Sequence, residues 1–597
     1  MSRAAPVVLG ALVVLAGGCP DEHVPAAEGS TTGGSDDPST TRAPGSSSVG
    51  GSFSGGLDTG TTTGTTTTDT TTTGTTTSEG STTGGEPSSG HARVLVRRVL
   101  SSFDDIELEL FEYAEGELAS WISFTSDLPM GTVEKLVAES GRVVAFCKQD
   151  PDAMEERCFA IDLTPHPSGP AQPFFSDPLP ADTNVSLSSW SEATQSFVFR
   201  MTDSGSPNAL FSAAFPGGVL EEPELLAQGG PGQRIGSDVR VRSDGAWVSY
   251  VLGPLMGPSN AFVAPLALPD PGAAVMVSDV VDPELRATTP SFVTGQEAVL
   301  YTIGDGSYGS NEDSLWFVDL SGPVPTAPLR VDDPLPDGLG IRSPRIAPDG
   351  HALLYLAGEP GEGDLMFVDL TAGVPQPPVL VSSLVDEPFW LVRFDWSPDS
   401  RFITYLAETE HPDTPDLHIV EAPGAAPGEP VRITGVVPNG SVRGYAFDAS
   451  SRWLYYVAEE DERVAQLYRV DVSGSEPGAR QRVSGDDGAV SGNITGSHDW
   501  STVLYLAGSG TSGASELYVV DVSRVVPGTA VRISPPLAEG IEVSEAYFSR
   551  DGSVALYHQT GPTGKDPDDH PVKLVDLTSG SVHTLAADAL DMDIIID

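Results

Sequence analysis

Basic residues and cysteine are both scarce in this chain, and each scarcity excludes a class of protein. The 597 residues include 31 Lys and Arg against 84 Asp and Glu, which gives a formal net charge of -53. Because such a negative surface repels phosphate backbones, we expect no nucleic-acid partner. Three cysteines in so long a chain are too few for a disulfide scaffold.

The common catalytic motifs are also missing. The sequence has no Gly-x-Ser-x-Gly elbow, no His-Glu-x-x-His, no P-loop and no Gly-x-Gly-x-x-Gly on a strand-to-helix turn. The ten histidines are dispersed, and the closest pair across a loop, His411 and His418, is interpreted as exposed loop residues. No long amphipathic helical pattern follows the N-terminus, so the sequence predicts an all-β fold without assigned catalytic residues.

The first 19 residues have the pattern of an export signal. A charged start is followed by an apolar run from Ala4 to Ala16, which is too short to span a bilayer permanently. The ending Leu15-Ala16-Gly17-Gly18-Cys19 resembles a bacterial lipobox, although its leucine lies four residues before the cysteine. The resemblance implies cleavage before Cys19 and acylation of its thiol, hence an exported protein, lipid-anchored in the cell envelope and predicted at the outer membrane. The alternative is an ordinary signal peptide with an incidental cysteine.

Residues 20–90 form a low-complexity segment dominated by Thr, Ser and Gly. It offers too few apolar residues for a core, so we expect a disordered linker. Next to a lipid anchor, this linker is interpreted as a stalk that lifts the following domain from the membrane. A tolerated insert without function is the alternative.

The remainder of the chain, residues 91–597, is self-similar at a spacing of about 51 residues. Each unit contains a short apolar strand that ends in an aromatic residue, as in Ala352-Leu353-Leu354-Tyr355. An Asp-Gly or Pro-Asp turn precedes this strand, a third strand ends in Val-Asp, and a short fourth strand follows. The aromatic positions recur at Phe146, Phe199, Tyr250, Tyr301, Tyr355, Tyr405, Tyr456, Tyr505 and Tyr557, with a weaker copy near Val96.

Four strands in each unit predict the blades of a β-propeller, since one blade cannot bury both of its faces. The units resemble TolB-like, or WD40-like (PD40), propeller repeats over most of residues 137–597. We therefore predict about 8–10 four-stranded blades, arranged in one ring in preference to two. The segment from Arg93 to Phe124 is predicted to close the ring by pairing with the C-terminal blade.

Cys147 and Cys158 flank the segment Lys148 to Arg157, which is predicted to be a ten-residue loop. A hairpin would bring the two cysteines opposite each other, and export permits oxidation, so we predict a disulfide. Two buried free thiols are the alternative. Metal binding is disfavoured because no histidine lies nearby in the sequence.

Acidic residues recur at two kinds of position. Loops between second and third strands could hold Ca²⁺ with hard oxygen ligands, although plain solvated loops are the favoured interpretation, and no other cofactor is expected. The Ca²⁺ candidates are Asp305, Asp313, Asp413 and Asp416. The acids that end the third strands are predicted to bond turn amides. They are Asp162, Asp319, Asp369, Glu421, Asp471, Asp521 and Asp576.

Two functions fit this pattern. The favoured one is a non-catalytic scaffold that binds a protein, peptide or glycan in the envelope; the TolB resemblance implies protein partnership there without identifying the partner. The alternative is a propeller hydrolase or lyase whose active site is dispersed around the central channel. Converging Asp, His or Arg side chains in the channel would favour the enzyme, and small or apolar ones would count against it.

Overall fold

A computed structural model describes residues 92–595, apart from segments that lie mostly between strands. The longer omitted segments are 100–105, 126–132, 151–154, 165–170, 267–272, 306–313, 334–338, 383–390, 409–413, 435–440, 460–463, 509–514 and 562–570. Cys19 and the linker of residues 20–90 therefore lie outside the described residues. No helix in the described part is long and apolar enough to cross a membrane.

The described residues form ten antiparallel sheets, which we number as blades in chain order. Blade 1 holds β1 (Ala92–Val99), β2 (Ile106–Ala114) and β3 (Glu117–Ser123), and blade 2 holds β4 (Val133–Val137), β5 (Val143–Asp150), β6 (Glu155–Asp162) and β7 (Gln172–Pro173). Blade 3 holds β8 (Thr183–Ser191), β9 (Ser196–Asp203), β10 (Ser206–Ala214) and β11 (Glu224–Gln228), with a 3₁₀ turn at Pro216–Gly218.

In blades 4 and 5 the first strand is interrupted, so that two short segments pair with the same second strand. Blade 4 holds β12 (Gln233–Ile235), β13 (Arg240–Val241), β14 (Trp247–Pro254), β15 (Asn260–Pro265) and β16 (Val275–Met276). Blade 5 holds β17 (Arg286–Ala287), β18 (Ser291–Phe292), β19 (Ala298–Gly304), β20 (Ser314–Asp319) and β21 (Leu329–Arg330).

Blades 6 to 10 follow the regular four-strand order. Blade 6 holds β22 (Gly340–Ile346), β23 (Ala352–Glu359), β24 (Glu362–Asp369) and β25 (Val379–Leu380), and blade 7 holds β26 (Leu391–Trp396), β27 (Phe402–Ala407), β28 (Asp416–Glu421) and β29 (Val431–Arg432). Blade 8 holds β30 (Val442–Phe447), β31 (Trp453–Ala458), β32 (Gln466–Asp471) and β33 (Gln481–Arg482), and blade 9 holds β34 (Ala489–Gly496), β35 (Thr502–Gly508), β36 (Glu516–Asp521) and β37 (Val531–Arg532). Blade 10 holds β38 (Glu542–Phe548), β39 (Val554–Thr560), β40 (Val572–Asp576) and β41 (Val582–Ala586).

The last strand, β42 (Ala589–Ile595), closes the ring by a route that differs from the prediction. It pairs antiparallel with β1, as in Val94 opposite Ile594, and completes blade 1 as its first strand. The N-terminal segment therefore does not join the C-terminal blade; the C-terminal strand joins the N-terminal one. Both ends of the propeller are therefore held in one sheet, which ties the first blade to the end of the chain.

Ten hydrophobic clusters link the blades pairwise around the ring. Leu95 and Phe146 belong to the cluster between blades 1 and 2, and Val94 and Leu556 belong to the one between blades 10 and 1. The other eight clusters join each blade to the next in order. Ten interfaces for ten blades require a single closed ring. The protein is a ten-bladed β-propeller.

The aromatic residue that marks each repeat lies on the second strand and is buried. Tyr250, Tyr355, Tyr405, Tyr505 and Tyr557 are among the largest fully buried side chains. Across the third strand the partner is often a second ring, as in Tyr505 with Tyr518, whose centroids lie 5.4 Å apart. Since these side chains fill the space between blades, the aromatic periodicity in the sequence is the packing period of the ring.

Candidate functional site

The first strands of the blades surround the central axis of the propeller. First strands of neighbouring blades contact each other, as do β4 and β8, β30 and β34, and β34 and β38. The short fourth strands lie at the outer edge, where Val431 and Val531 are exposed. Those first-strand side chains that are exposed therefore meet solvent along the channel or at its two openings.

Arginines are concentrated on the first strands of five consecutive blades, 4 to 8. These strands carry seven arginines and one acidic residue, Asp395, in a chain that has far more acids than bases. The seven, which we call the basic arc, are Arg234, Arg240, Arg286, Arg342, Arg345, Arg393 and Arg443. The first strands of blades 9 and 10 carry no basic residue, and Glu542 and Glu545 are exposed on β38. The first strands of blades 4 to 8 are therefore more basic than those of blades 9 and 10.

Asp395 lies at the centre of the basic arc and joins three blades. Its Oδ1 accepts a hydrogen bond from Arg345 Nη1 at 2.9 Å, and its Oδ2 accepts one from Arg393 Nε at 2.9 Å. The hydroxyl of Tyr445, on the next blade, donates to Asp395 Oδ2 at 3.4 Å. The Arg393 guanidinium lies over the Tyr445 ring, 4.9 Å from its centroid, and burial raises the pKa of Tyr445 above its usual range. Such bonds fix both guanidinium groups in position.

Blades 2 and 3 are joined by two carboxylates, those of the half-buried Glu134 and the buried Glu156. Glu134 Oε1 accepts a hydrogen bond from the amide of Leu187 at 3.0 Å, and Glu156 Oε2 accepts one from the amide of Val185. Burial raises the pKa of both groups, that of Glu156 from 4.5 to about 7. The Val185 amide opposes the shift at Glu156, and the charge of Glu134 adds to it. The contact between blades 2 and 3 therefore depends on the charge of these two carboxylates.

Comparison with known proteins finds distant likenesses to solved structures. One similar solved structure is TolB from Acinetobacter baumannii, with 12% identity, coverage of 61% of this chain and 83% of that chain, and a TM-score of 0.27. Another is Porphyromonas gingivalis dipeptidyl peptidase 4, with 12% identity, coverage of 84% of this chain and 60% of that chain, and a TM-score of 0.38. A third is a eukaryotic initiation factor, with 11% identity, coverage of 85% of this chain and 99% of that chain, and a TM-score of 0.43. No family model and no curated protein matches the sequence. These neighbours include TolB-type and peptidase proteins, and at TM-scores of 0.27 to 0.43 the likeness indicates nothing about the role of this chain.

Cys147 and Cys158 are directly opposite each other on β5 and β6 and are bonded through their sulfur atoms. The predicted ten-residue loop between them is wrong. Lys148 pairs with Arg157 and Gln149 with Glu156, because both strands continue past the cysteines. The sulfur atoms and the Glu156 carboxylate lie within 4.8 Å of one another, and all three residues are buried.

The structure separates the four Ca²⁺ candidates. Asp305 is exposed, and Asp313 and Asp413 lie outside the described residues. Asp416 is buried and accepts hydrogen bonds from Arg432 Nη2 at 2.7 Å and from the Thr434 hydroxyl at 3.0 Å. Its carboxylate is therefore oriented into its own blade, and the Ca²⁺ site stays a prediction.

The acids that end the third strands lie at turns. Each of the six aspartates accepts a hydrogen bond through Oδ1 from the amide two residues further on, as Asp369 does from Thr371 at 2.8 Å. Glu421 is longer and forms an ion pair with Arg401 at 3.6 Å instead. Asp576 also accepts from the Tyr113 hydroxyl at 2.9 Å, which links blade 10 to blade 1.

Sequence reasoning missed a second recurring polar position, two residues beyond the end of the fourth strand. A Ser, Thr or Asp there accepts a hydrogen bond from an amide near the start of the third strand, 17 residues earlier, as Ser534 does from Leu517 at 3.0 Å. The same contact is made by Thr125, Ser278, Asp332, Ser382, Thr434 and Ser484. The repeated endings Val-Arg-Ile-Ser and Val-Arg-Ile-Thr were the available signal.

One histidine interpretation is wrong as well. His418 lies within β28, is 3% exposed and stacks on Tyr405 with ring centroids 5.1 Å apart. It occupies the aromatic position of its third strand, and burial lowers its pKa to about 4. His411 lies outside the described residues.

Proposed function

We propose that this protein is a non-catalytic binding scaffold of the bacterial cell envelope, whose propeller binds a protein, peptide or glycan partner. In this proposal Cys19 carries the lipid anchor at the outer membrane, and residues 20–90 act as the stalk. The propeller fold supports a binding role, since its first strands surround an axial surface to which all ten blades contribute.

The observation that carries the proposal is the basic arc. Seven arginines on adjacent first strands are unexpected in a chain of net charge -53 unless something there uses them. Arg240, Arg345, Arg393 and Arg443 keep between 31% and 41% of their side-chain surface exposed. A partially desolvated, oriented guanidinium is well suited to recognising carboxylate groups of a partner.

Capture from envelope extracts tests the binding role. The full chain, carrying a C-terminal tag, is used as bait, and the matched control is a variant with Arg345→Gln and Arg393→Gln. We expect a partner enriched on the wild-type bait and depleted on the variant. Recovery of nothing above background on either bait would contradict the scaffold function.

Labelling with a radioactive fatty acid tests the location. The wild-type chain should incorporate label, and Cys19→Ser should abolish incorporation while leaving the propeller folded. An unlabelled wild type, or label that persists in the variant, would rule out the anchor.

The convergence of Arg345, Asp395, Arg393 and Tyr445 favours one second candidate, a hydrolase or lyase that acts in the channel. Asp395 would be its acidic group, although two guanidinium groups already occupy both carboxylate oxygens. Incubating the captured partner with wild type and with Asp395→Asn separates the two functions. Turnover by the wild type alone would establish the enzyme, and an unchanged partner in both samples would leave the scaffold.

A further inference from the structure

We propose that one face of the propeller rests on a bilayer of neutral lipid, into which valines of the turns between third and fourth strands insert. This inference rests on the lipid anchor of the proposed function and specifies how the propeller is oriented on the membrane. It follows from the position of the exposed apolar side chains, the charge of the turns that carry them and the point at which the chain enters the propeller.

The exposed apolar side chains are confined to one part of the blades. Among the described residues, every large hydrophobic side chain that is exposed belongs to a fourth strand or to the turn that precedes one. Five of them lie in the turns themselves and are between 52% and 76% exposed. These five, which we call the turn valines, are Val219, Val324, Val374, Val525 and Val526. Single exposed valines are ordinary, whereas five at one position of the repeat indicate an apolar contact surface.

The turn valines protrude from the same face of the ring. The strands of each blade alternate in direction, so the turns between first and second strands and those between third and fourth strands lie on one face. We call this the turn face; the turns between second and third strands lie on the opposite one. Blades 3, 5, 6 and 9 contribute the turn valines, so the apolar side chains are distributed along the rim of the turn face.

Proline follows the valine in three of these turns. The pairs are Val324-Pro325, Val374-Pro375 and Val526-Pro527. Proline fixes the backbone and has no N–H group, so these turns bring fewer unsatisfied donors to an apolar phase. The turns are therefore suited to shallow contact with lipid.

The turns that carry these valines contain no acid. Residues 320–328 and 370–378 include no charged residue, and residues 522–530 include only Arg524, in a chain with 84 acidic residues. Because a charged side chain is costly in hydrocarbon, these turns can enter a bilayer where most of the surface cannot. Nearer the axis, the turn face also carries exposed aspartates of the turns between first and second strands, such as Asp244 and Asp349. Their charge repels anionic headgroups, so the lipid in contact is expected to be neutral.

The chain enters the propeller on the turn face. Ala92, at the start of β1, pairs with Tyr113 near the end of β2. Since β2 and β3 are the third and fourth strands of blade 1, Ala92 lies beside a turn of the same kind as those with the turn valines. A lipid on Cys19 would therefore hold this face towards the bilayer. Such a tether makes the second contact intramolecular, which allows a few valines to suffice.

Fluorescence of the full, acylated chain in phosphatidylcholine vesicles tests the proposal. An environment-sensitive dye is attached to the cysteine of Val374→Cys, because Cys19 is acylated in the proposed function and Cys147 and Cys158 are bonded to each other. We expect emission shifted to the blue and quenching by lipids that carry bromine on their acyl chains.

Asp305→Cys is the matched control. Asp305 is exposed and follows β19, the second strand of blade 5, so it lies on the opposite face of the blade that carries Val324. The dye at residue 374 should be quenched about threefold more strongly than the dye at residue 305, since only the turn face meets apolar lipid. Equal quenching at the two positions would overturn the proposal. A blue shift without quenching would show contact between copies of the chain and would overturn it too.

Variants locate the contact. Replacing Val324, Val525 and Val526 with Ser should lower quenching at residue 374 about twofold, because fewer apolar side chains hold the face on the bilayer. Val431→Ser with Val531→Ser is the matched control, since these exposed valines lie on fourth strands outside the turns. Circular dichroism verifies that each variant is folded. Quenching unaffected by the turn variants, or lowered equally by the control, would contradict the inference.

Lipid charge tests the choice of neutral lipid. Phosphatidylglycerol added to the vesicles should lower quenching at residue 374, and salt should restore it by screening the aspartates of the turn face. Stronger quenching in the presence of phosphatidylglycerol would refute this choice.

The anchor and the inference fail in different ways. If the chain incorporates fatty acid but a dye at residue 374 is not quenched, the anchor stands and the inference falls. If the chain incorporates no fatty acid but added vesicles quench the dye at residue 374 and not at residue 305, the inference stands and the anchor falls.

Discussion

Replacing Glu156 with Gln should stabilise the propeller at alkaline pH and leave it unchanged at acidic pH. Glu156 is 6% exposed, and its carboxylate accepts a hydrogen bond from the Val185 amide across the interface of blades 2 and 3. Burial raises the pKa of this group from 4.5 to about 7. The folded state therefore binds the proton more tightly than the unfolded chain does.

The sign follows from this difference. A raised pKa contributes stability that is fully present below pH 4.5 and is lost as the pH rises through about 7. The size is about 1.4 kcal/mol for each pH unit between the two values, or about 3 kcal/mol in total. Gln keeps a side-chain oxygen that accepts the hydrogen bond from the Val185 amide, and it carries no charge. The variant should therefore keep its free energy of unfolding as the pH rises.

Chemical unfolding at pH 5 and at pH 8 measures the effect, and hydrogen exchange of the Val185 amide reports it locally. The free energy of unfolding of Glu156→Gln should exceed that of the wild type by about 3 kcal/mol at pH 8 and by much less at pH 5. Glu542→Gln, at an exposed first-strand carboxylate, is the control and should show no such trend. A difference between Glu156→Gln and wild type that does not change with pH would refute the reasoning.

Three further outcomes are expected. Because the buried His418 ring resists protonation, the free energy of unfolding of the wild type should fall by about 3 kcal/mol as the pH drops from 6.5 to about 4. His418→Phe should not show this fall, and acid unfolding curves identical to those of the wild type would contradict the prediction. Arg469→Met should lower the free energy of unfolding in urea by about 3 kcal/mol, because its buried guanidinium donates hydrogen bonds to three backbone carbonyls. These carbonyls belong to Val522, Arg524 and Val525, at 2.6, 2.5 and 3.1 Å. Arg524→Met, at an exposed side chain, is its control. Replacing Cys147 and Cys158 together with Ala should lower the unfolding free energy by about 2–3 kcal/mol under oxidising conditions and by nothing in reductant; equal losses in both would assign the effect to packing alone.

The sequence by itself determined the local unit of this protein. Strand alternation, Asp-Gly turns and the buried aromatic of each second strand act within a single repeat, so their pattern is visible along the chain. The four-stranded blade and the turn-forming aspartates such as Asp369 and Asp521 followed from that pattern. Cys147 and Cys158 could be placed opposite each other because they share one hairpin.

Only the tertiary structure decided how the units combine. Ring closure depends on the angle between blades summed over the whole array, and no local pattern encodes it; β1 and β42 meet although they are separated by almost the entire propeller. Arg345, Asp395 and Tyr445 belong to three repeats and come together only because successive first strands surround one axis. The pKa of Glu156 likewise depends on burial against the next blade. Contacts of this kind are set by packing between distant segments, which the periodicity of a sequence does not contain.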